Sequence, residues 1–217
     1  GADKYLYADD KLSVKIENVI PGPGNVYYVV KQDGKYGVMS HTSKMLAECI
    51  YSTYLDRGPA TLLRASKSTD WTVVVKDGSE EGSSVYTFAE TSPVIVKSDE
   101  GYGVISPRNQ SIVAEFVYDS VEEYVKDSVY CLQKGDSKYL YADDKLSDLY
   151  EEVIPDSENS YFTVKQNGLY GVVNQVGKPV VDKVHTSYLN RGPVLLLRPE
   201  NSTDWVAIVK DNSEVGY

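Results

Sequence analysis

The decapeptide KYLYADDKLS occurs twice in this chain, at Lys4–Ser13 and again at Lys138–Ser147. Aligning residues 4–83 with residues 138–217 needs no gap, and roughly half of the positions are identical. The further shared blocks are VIP, VKQ, YGV, RGP, LLR, STDW and VKD. The chain therefore contains a duplication with a period of 134 residues, which predicts a repeat architecture.

A shorter period lies inside the duplication. Aromatic residues open strand-like segments at intervals of 31–37 residues, and four such units make one 134-residue repeat. The units open near Tyr5, Tyr36, Trp71, Tyr102, Tyr139, Tyr170 and Trp205. Periods of 20–50 residues are typical of solenoids, propellers and arrays. We therefore predict a single repeat domain over residues 1–217.

Alternation of apolar and polar residues predicts about three β-strands in each unit. Asp33-Gly34 and Asn167-Gly168 lie between strand-like runs, and these dipeptides tolerate the positive φ angles of a two-residue hairpin. The last strand of one unit should thus pair with the first strand of the next. The best helix candidate, residues 120–132, is rich in Val and Tyr and is expected to be strand or loop. The predicted fold is an all-β antiparallel meander, either propeller-like or an open twisted array.

Paired aspartates occur in both copies of the decapeptide, at Asp9-Asp10 and Asp143-Asp144. They lack the spaced carboxylates and glycine of a calcium loop, so we expect turns rather than a metal site. Cys49 and Cys131 are not in a zinc-like spacing, and they fall at different places in the repeat. The sequence therefore predicts two free thiols.

Composition excludes several functions. A net charge of −10 is unfavourable for nucleic-acid binding, which needs clustered Lys and Arg. No apolar run approaches the ~18 residues of a membrane-spanning helix. Nucleotide-binding, metalloprotease and serine-hydrolase motifs are absent from the sequence, so we predict no cofactor and no catalytic residues.

The repeated unit resembles the bacterial WG repeat, also called the KWG repeat. The clearest copy is EGYGVISPRNQSIVAEFVYDS at 100–120, and GLYGVVNQVGKPVVDKV at 168–184 matches as far as its second strand. Tyr replaces the family's Trp in most copies, and Trp71 and Trp205 lack the following Gly. The resemblance implies an all-β repeat protein without shared catalytic residues. It also implies an extracytoplasmic location, because such proteins are often exported or attached to the bacterial surface.

The two copies of the RGP and LLR blocks provide the candidate binding residues. Arg57 and Arg191 precede Gly-Pro, whereas Arg64 and Arg198 end apolar strand-like runs. Paired arginines can bind a carboxylate or a sugar acid. The structural alternative, which we favour, is an Arg–Asp bridge to Asp70 or Asp204, or an Arg–carbonyl bond, between neighbouring units.

Three classes of function fit these observations. The first, which we favour, is a non-enzymatic interaction or scaffold module that binds a protein or a glycan. The others are a structural spacer of a surface protein and an enzyme with an unrecognised site. A binding module should have an aromatic-lined groove with polar edges, a spacer should lack one, and an enzyme should have a cleft with strongly perturbed titratable groups.

Overall fold

The computed structural model describes residues 4–8, 10–13, 15–79, 82–89, 91–106, 108–156, 158 and 160–209. In the first part of the chain the strands are β1 (Tyr7–Ala8), β2 (Lys11–Leu12), β3 (Asn18–Pro21), β4 (Tyr27–Gln32), β5 (Lys35–Ser40), β6 (Met45–Arg57), β7 (Ala60–Ala65), β8 (Trp71–Lys76), β9 (Ser83–Phe88), β10 (Val94–Lys97), β11 (Tyr102–Ser106) and β12 (Ser111–Tyr118). The later strands are β13 (Ser120–Val125), β14 (Val129–Lys134), β15 (Ser137–Ala142), β16 (Lys145–Leu146), β17 (Glu152–Pro155), β18 (Tyr161–Gln166), β19 (Leu169–Asn174), β20 (Pro179–Asn190), β21 (Val194–Pro199) and β22 (Val206–Val209). A short 3₁₀ helix spans Pro23–Asn25.

The strands form five sheets, and within each sheet they follow chain order: β1–β2, β3–β9, β10–β12, β13–β16 and β17–β22. The all-β antiparallel fold is confirmed, and so is the pairing across every unit boundary from β4–β5 to β21–β22. Within each sheet the strands form the expected meander, but among the described residues the pairing between consecutive strands is interrupted after β2, β9, β12 and β16. One interruption coincides with Pro93, which lacks the N–H group that a ladder needs. The units opening at 36, 71 and 170 have the expected three strands, those opening at 5, 102 and 139 have four, and the described part of the unit opening at 205 has one.

The chain forms two compact units, residues Gly1–Val117 (unit 1) and Tyr118–Tyr217 (unit 2). The prediction of one domain over residues 1–217 stays a prediction. Strands β3–β8 of unit 1 recur as β17–β22 of unit 2, and Tyr36 pairs with Tyr51 as Tyr170 pairs with His185. The register shifts that follow these pairs fall at equivalent positions. The sequence duplication is thus a duplication of strand register.

The glycine after the opening aromatic residue is required by a close approach between strands. A Cβ at Gly37 would lie 2.7 Å from the carbonyl oxygen of Ala47, and one at Gly171 would lie 2.7 Å from that of Val181. Gly103 is similarly enclosed, with the aromatic ring of β12 at 2.8 Å. Real Cβ atoms do not approach backbone oxygens this closely, so only glycine fits after the aromatic residue without displacing its neighbours.

Both predicted hairpins are confirmed. The φ angles are 49° and 73° at Asp33-Gly34, and 53° and 78° at Asn167-Gly168, as a type I′ turn requires. The glycine N–H donates a hydrogen bond to the carboxylate of Glu17 in the first copy (3.1 Å) and of Glu151 in the second (2.9 Å). Identical turn chemistry therefore fixes the register of both copies.

The paired aspartates also form a turn. Asp143-Asp144 connects β15 to β16 with φ angles of 49° and 56°, and the Tyr141 hydroxyl donates to Asp144 at 2.7 Å. In the first copy Tyr7 donates to Asp10 at 2.8 Å, while Asp9 lies outside the described residues. Within the described ranges, no three His, Cys, Asp or Glu side chains are grouped to hold a metal ion. The same part of the chain contains no helix long and apolar enough to span a membrane.

The two cysteines carry no disulfide bond in the structure. Cys49 is half-buried in β6 of unit 1, and Cys131 is buried in β14 of unit 2. Burial raises the pKa of both thiols, which slows thiolate chemistry near neutral pH. We expect titration of denatured, unreduced protein to give two thiols per chain, and a value of zero in monomeric protein would contradict this.

One tyrosine pair differs between the copies and gives a matched prediction. The buried hydroxyl of Tyr27 lies 3.0 Å from Thr61 Oγ1, whereas the buried hydroxyl of its counterpart Tyr161 has no hydrogen-bond partner among the described residues. Leu195 occupies the position equivalent to Thr61. Tyr27→Phe should lower the free energy of unfolding by about 1–3 kcal/mol, because Thr61 loses its partner. Tyr161→Phe should be neutral or stabilising. Urea unfolding of the two variants measures this, and equal losses would contradict it.

Candidate functional site

Arg57 holds a turn of unit 1 in place. Its Nε donates to the carbonyl oxygen of Gln110 at 2.7 Å, and its Nη1 donates to the carbonyl oxygen of Asp56 at 2.7 Å. The first bond joins the β6–β7 turn to the β11–β12 turn. This is an Arg–carbonyl bond of the kind that the sequence predicts between neighbouring repeats.

The LLR arginines make a contact that the sequence did not predict. The guanidinium carbon of Arg64 lies 4.7 Å from the ring centre of Trp71, and that of Arg198 lies 5.2 Å from the ring centre of Trp205. These are cation–π contacts, and the bridges to aspartate stay a prediction. The sequence contained a signal for these contacts, because the tryptophan follows the arginine by seven residues in both copies.

The two arginines of each copy lie at opposite ends of one strand. Arg57 precedes β7 and Arg64 is near its end, and Arg191 and Arg198 are placed likewise around β21. Arg191 is exposed, and its backbone N–H donates to the carbonyl oxygen of Val194. The geometry therefore favours structural roles for Arg57 and Arg64, and a binding role for the four residues stays a prediction.

Alanine substitutions separate these roles. Arg57→Ala should lower the free energy of unfolding by about 1–3 kcal/mol through the unpaired carbonyl oxygen. Arg64→Ala should lower the free energy of unfolding by about 1–2 kcal/mol, because it removes a contact with the buried ring of Trp71. Arg198→Ala should lower it by about 0.5–1 kcal/mol, because the ring of Trp205 is exposed. Arg191→Ala should stay within about 0.5 kcal/mol of the parent. Thermal melts measure these effects, and four equal melting temperatures would contradict them.

An apolar sheet face of unit 2 is the candidate functional surface, and we call it the open face. Five of its side chains project from the same side of β20, β21 and β22, and the sixth belongs to Trp205 directly before β22; all six are exposed or half-buried. They are Leu189, Val194, Leu196, Trp205, Ala207 and Val209. Trp205 is 40% exposed and Val209 is 53% exposed. A contiguous exposed apolar patch is a candidate interaction surface.

The equivalent face of unit 1 is closed. The counterparts of the six residues are Leu55, Ala60, Leu62, Trp71, Val73 and Val75. Five of them are fully buried, and Leu55 packs against them. Side chains of the β10–β12 sheet join the same cluster, namely Val94, Val96, Ile105 and Phe116. Trp71 is 0% exposed, so equivalent tryptophans have opposite environments in the two copies.

The strand edge beside this face differs in the same way. In unit 1, β8 pairs along its outer edge with β9, which places Phe88 opposite Trp71 and Tyr86 opposite Val73. In unit 2, β22 is the last strand of its sheet as far as the described residues extend. On the opposite side of β22, Ile208 is buried with Leu195 and Leu197, whereas Val206 is 40% exposed and its counterpart Thr72 is buried. The side of the sheet that carries Trp205 is therefore open, and the other side is packed around Ile208.

A polar cleft of about 480 Å³ lies in unit 1. It is lined by Asp77, Gly78, Ser79, Ser84, Tyr86, Lys97, Ser98 and Asp99. Tyr86 is its aromatic residue, so it is not the aromatic-lined groove that a binding module was expected to have. Burial acts to raise the pKa of Asp77, but hydrogen bonds from Ser79 and Ser84 outweigh it and the pKa is lowered.

The polar groups of the cleft are largely bonded to one another. Asp77 accepts hydrogen bonds from both serine hydroxyls, and Asp99 forms a 2.7 Å ion pair with Lys76. Asp77 therefore remains ionised near neutral pH and is a poor general acid. The cleft offers a ligand few unsatisfied groups, and the open face is the stronger candidate.

No family model and no curated protein matches the chain. Among solved structures, it is similar to the β-propeller domain of Myceliophteria thermophila Cps50 (Swd1), with 9% identity over 88% of this chain and 84% of that one and a TM-score of 0.25. Hsv2 of Kluyvelomyces marxianus aligns with 9% identity over 85% of this chain and 73% of that one, at a TM-score of 0.27. A putative 6-phosphogluconolactonase from Bacteroides uniformis aligns with 10% identity over 94% of this chain and 85% of that one, at a TM-score of 0.24. TM-scores this low do not establish a common fold, and the fold of this chain stands on its own strand pairing.

Proposed function

We propose that the chain is a non-enzymatic, extracytoplasmic interaction module that binds a partner protein through the open face. The observation that carries the proposal is the contrast between Trp205 and Trp71, which occupy equivalent positions and are 40% and 0% exposed. The residues from Trp71 to Val75 are all buried, whereas Trp205, Val206, Ala207 and Val209 are exposed in the second copy. Burying such a surface is the main source of free energy in protein association.

The chemistry of the surface favours a protein over a glycan. The six side chains of the open face are apolar, and an edge strand presents unpaired N–H and C=O groups to another strand. A glycan needs converging hydrogen-bonding groups, and among the described residues those that line the unit 1 cleft are engaged there.

The WG-type assignment and the propeller-like or open-array arrangement of the repeats belong to the same proposal. The steric need for Gly37, Gly103 and Gly171 supports it, because the family pattern places glycine directly after the aromatic residue. The extracytoplasmic location follows from that resemblance. The resemblance to the WG repeat implies no catalytic residues, which agrees with a binding role.

A partner screen with matched variants tests the proposal. Purified wild-type chain, Trp205→Asp, Val209→Asp and the control Val184→Asp are immobilised and exposed to candidate proteins and glycans. Val184 is a suitable control because it and its counterpart Ile50 are exposed in both copies. A protein should bind the wild type and the control and be lost from the two open-face variants. A partner that binds all four alike, or a glycan bound by all four, would overturn the proposal.

A further inference from the structure

We infer that the occupant of the open face is a β-sheet repeat unit of the type formed by residues 83–118. The inference rests on the proposed function and specifies the chemistry of the partner. In unit 1 the equivalent face is covered by β9 along its edge and by the β10–β12 sheet across its surface. Unit 1 thus shows which kind of structure covers a face of this composition.

The open face keeps the composition of the buried one. Each set of six positions contains one Trp, two Leu, two Val and one Ala. Ala60 and Val73 of unit 1 become Val194 and Ala207 of unit 2, so that the small and the larger residue are exchanged. Volume-conserving exchanges of this kind are those that a packed core tolerates best. Since roughly half of all positions differ between the copies, a face left to solvent has no physical reason to keep this composition.

The edge strand specifies the pattern of its partner. In unit 1 the residues opposite Trp71, Val73 and Val75 are Phe88, Tyr86 and Ser84. The partner strand should therefore run antiparallel to β22, with aromatic residues opposite Trp205 and Ala207 and a small polar residue opposite Val209. Backbone hydrogen bonds supply affinity in such strand addition, and alternate side chains supply specificity.

The partner's second element is an apolar sheet above the face. In unit 1, Val94 and Val96 of β10, Ile105 of β11 and Phe116 of β12 form this layer. A single peptide strand would pair only with the edge of β22, and the six side chains of the open face would remain exposed to solvent. The occupant is consequently a folded sheet, not an extended peptide.

A fusion protein tests the inference. Tyr217 is equivalent to Ser83, so a copy of residues 84–118 attached directly after Tyr217 continues the 134-residue alignment without a gap. Fusion also supplies the module at a high effective concentration. The added segment contains no tryptophan, so in a Trp71→Phe background the fluorescence reports Trp205 alone. Amide hydrogen exchange of β22 in the wild-type background gives a second reading that does not depend on the Trp71 substitution.

The control is the same fusion in which the copied counterparts of Val94, Val96 and Phe116 are replaced by Ser. With the unaltered module we expect a blue shift of Trp205 emission, at least tenfold slower exchange of the β22 amides and a higher melting temperature. The control should show none of these. Absence of all three changes with the unaltered module overturns the inference, and equal changes with both fusions overturn it as well, since packing of the apolar layer is then irrelevant. Neither result affects the partner screen, so failure here is distinguishable from failure of the proposed function.

Discussion

Trp71→Ala should lower the free energy of unfolding by about 3–5 kcal/mol, which is the usual cost of deleting a large buried aromatic side chain. Trp71 is fully buried among Leu62, Val73, Val96 and Phe116. Its removal leaves a cavity in a layer that joins two sheets of unit 1, and it also removes the ring beneath Arg64. A loss of this size is diagnostic of a core position.

Trp205→Ala is the matched comparison. Because Trp205 is 40% exposed, we expect a loss of less than about 1 kcal/mol, mainly from its contact with Arg198. For a chain of this size, each kcal/mol corresponds to a shift in melting temperature of roughly 2–4 °C. Thermal melts of the two variants should therefore differ by about 4 °C or more. Similar shifts in both would contradict the assignment of one closed and one open face.

Gly37→Ala and Gly171→Ala should each destabilise the chain by about 1–3 kcal/mol or more, because overpacked side chains force neighbouring backbone to move. The new Cβ would lie 2.7 Å from a backbone oxygen in either copy, and backbone in a paired strand has little room to yield. The substitution tests whether glycine at this position of the repeat is a steric necessity.

Gly78→Ala is the control for the glycine substitutions. A Cβ at Gly78 meets no atom within 4 Å, so this variant should stay within about 0.5 kcal/mol of the parent. Urea unfolding of all three variants gives the comparison. If Gly37→Ala and Gly171→Ala were as stable as Gly78→Ala, the YG dipeptide would need another explanation.

Local chemistry made much of the fold predictable from the sequence. Asp33-Gly34 and Asn167-Gly168 fix type I′ hairpins through their own backbone preferences, and every strand pair across a unit boundary follows from such short connections. The interruptions of the meander were missed, because they depend on how sheets pack and not on a turn motif. Pro93 was the one local signal among them.

The open face could not be found in the sequence. DWTVVVKD and DWVAIVKD are equally apolar, and neither shows which strand acquires a covering layer. Burial of Trp71 is decided by residues from Val94 to Phe116, which are distant in the sequence from the strand that they cover. The contacts of Arg64 and Arg198 with tryptophan were missed for a simpler reason. Opposite charges were considered as partners for arginine, whereas aromatic faces seven residues away were not.

Tryptophan fluorescence quenching tests the central claim most directly, since Trp71 and Trp205 are the chain's two tryptophans. Trp71→Phe and Trp205→Phe each leave a single reporter, and thermal melts establish beforehand that both variants are folded. The chain that retains Trp205 should emit at longer wavelength and be quenched readily by iodide. The chain that retains Trp71 should emit at shorter wavelength and resist quenching. Equal protection of both tryptophans in the isolated chain would contradict the open face and the interaction role proposed for it.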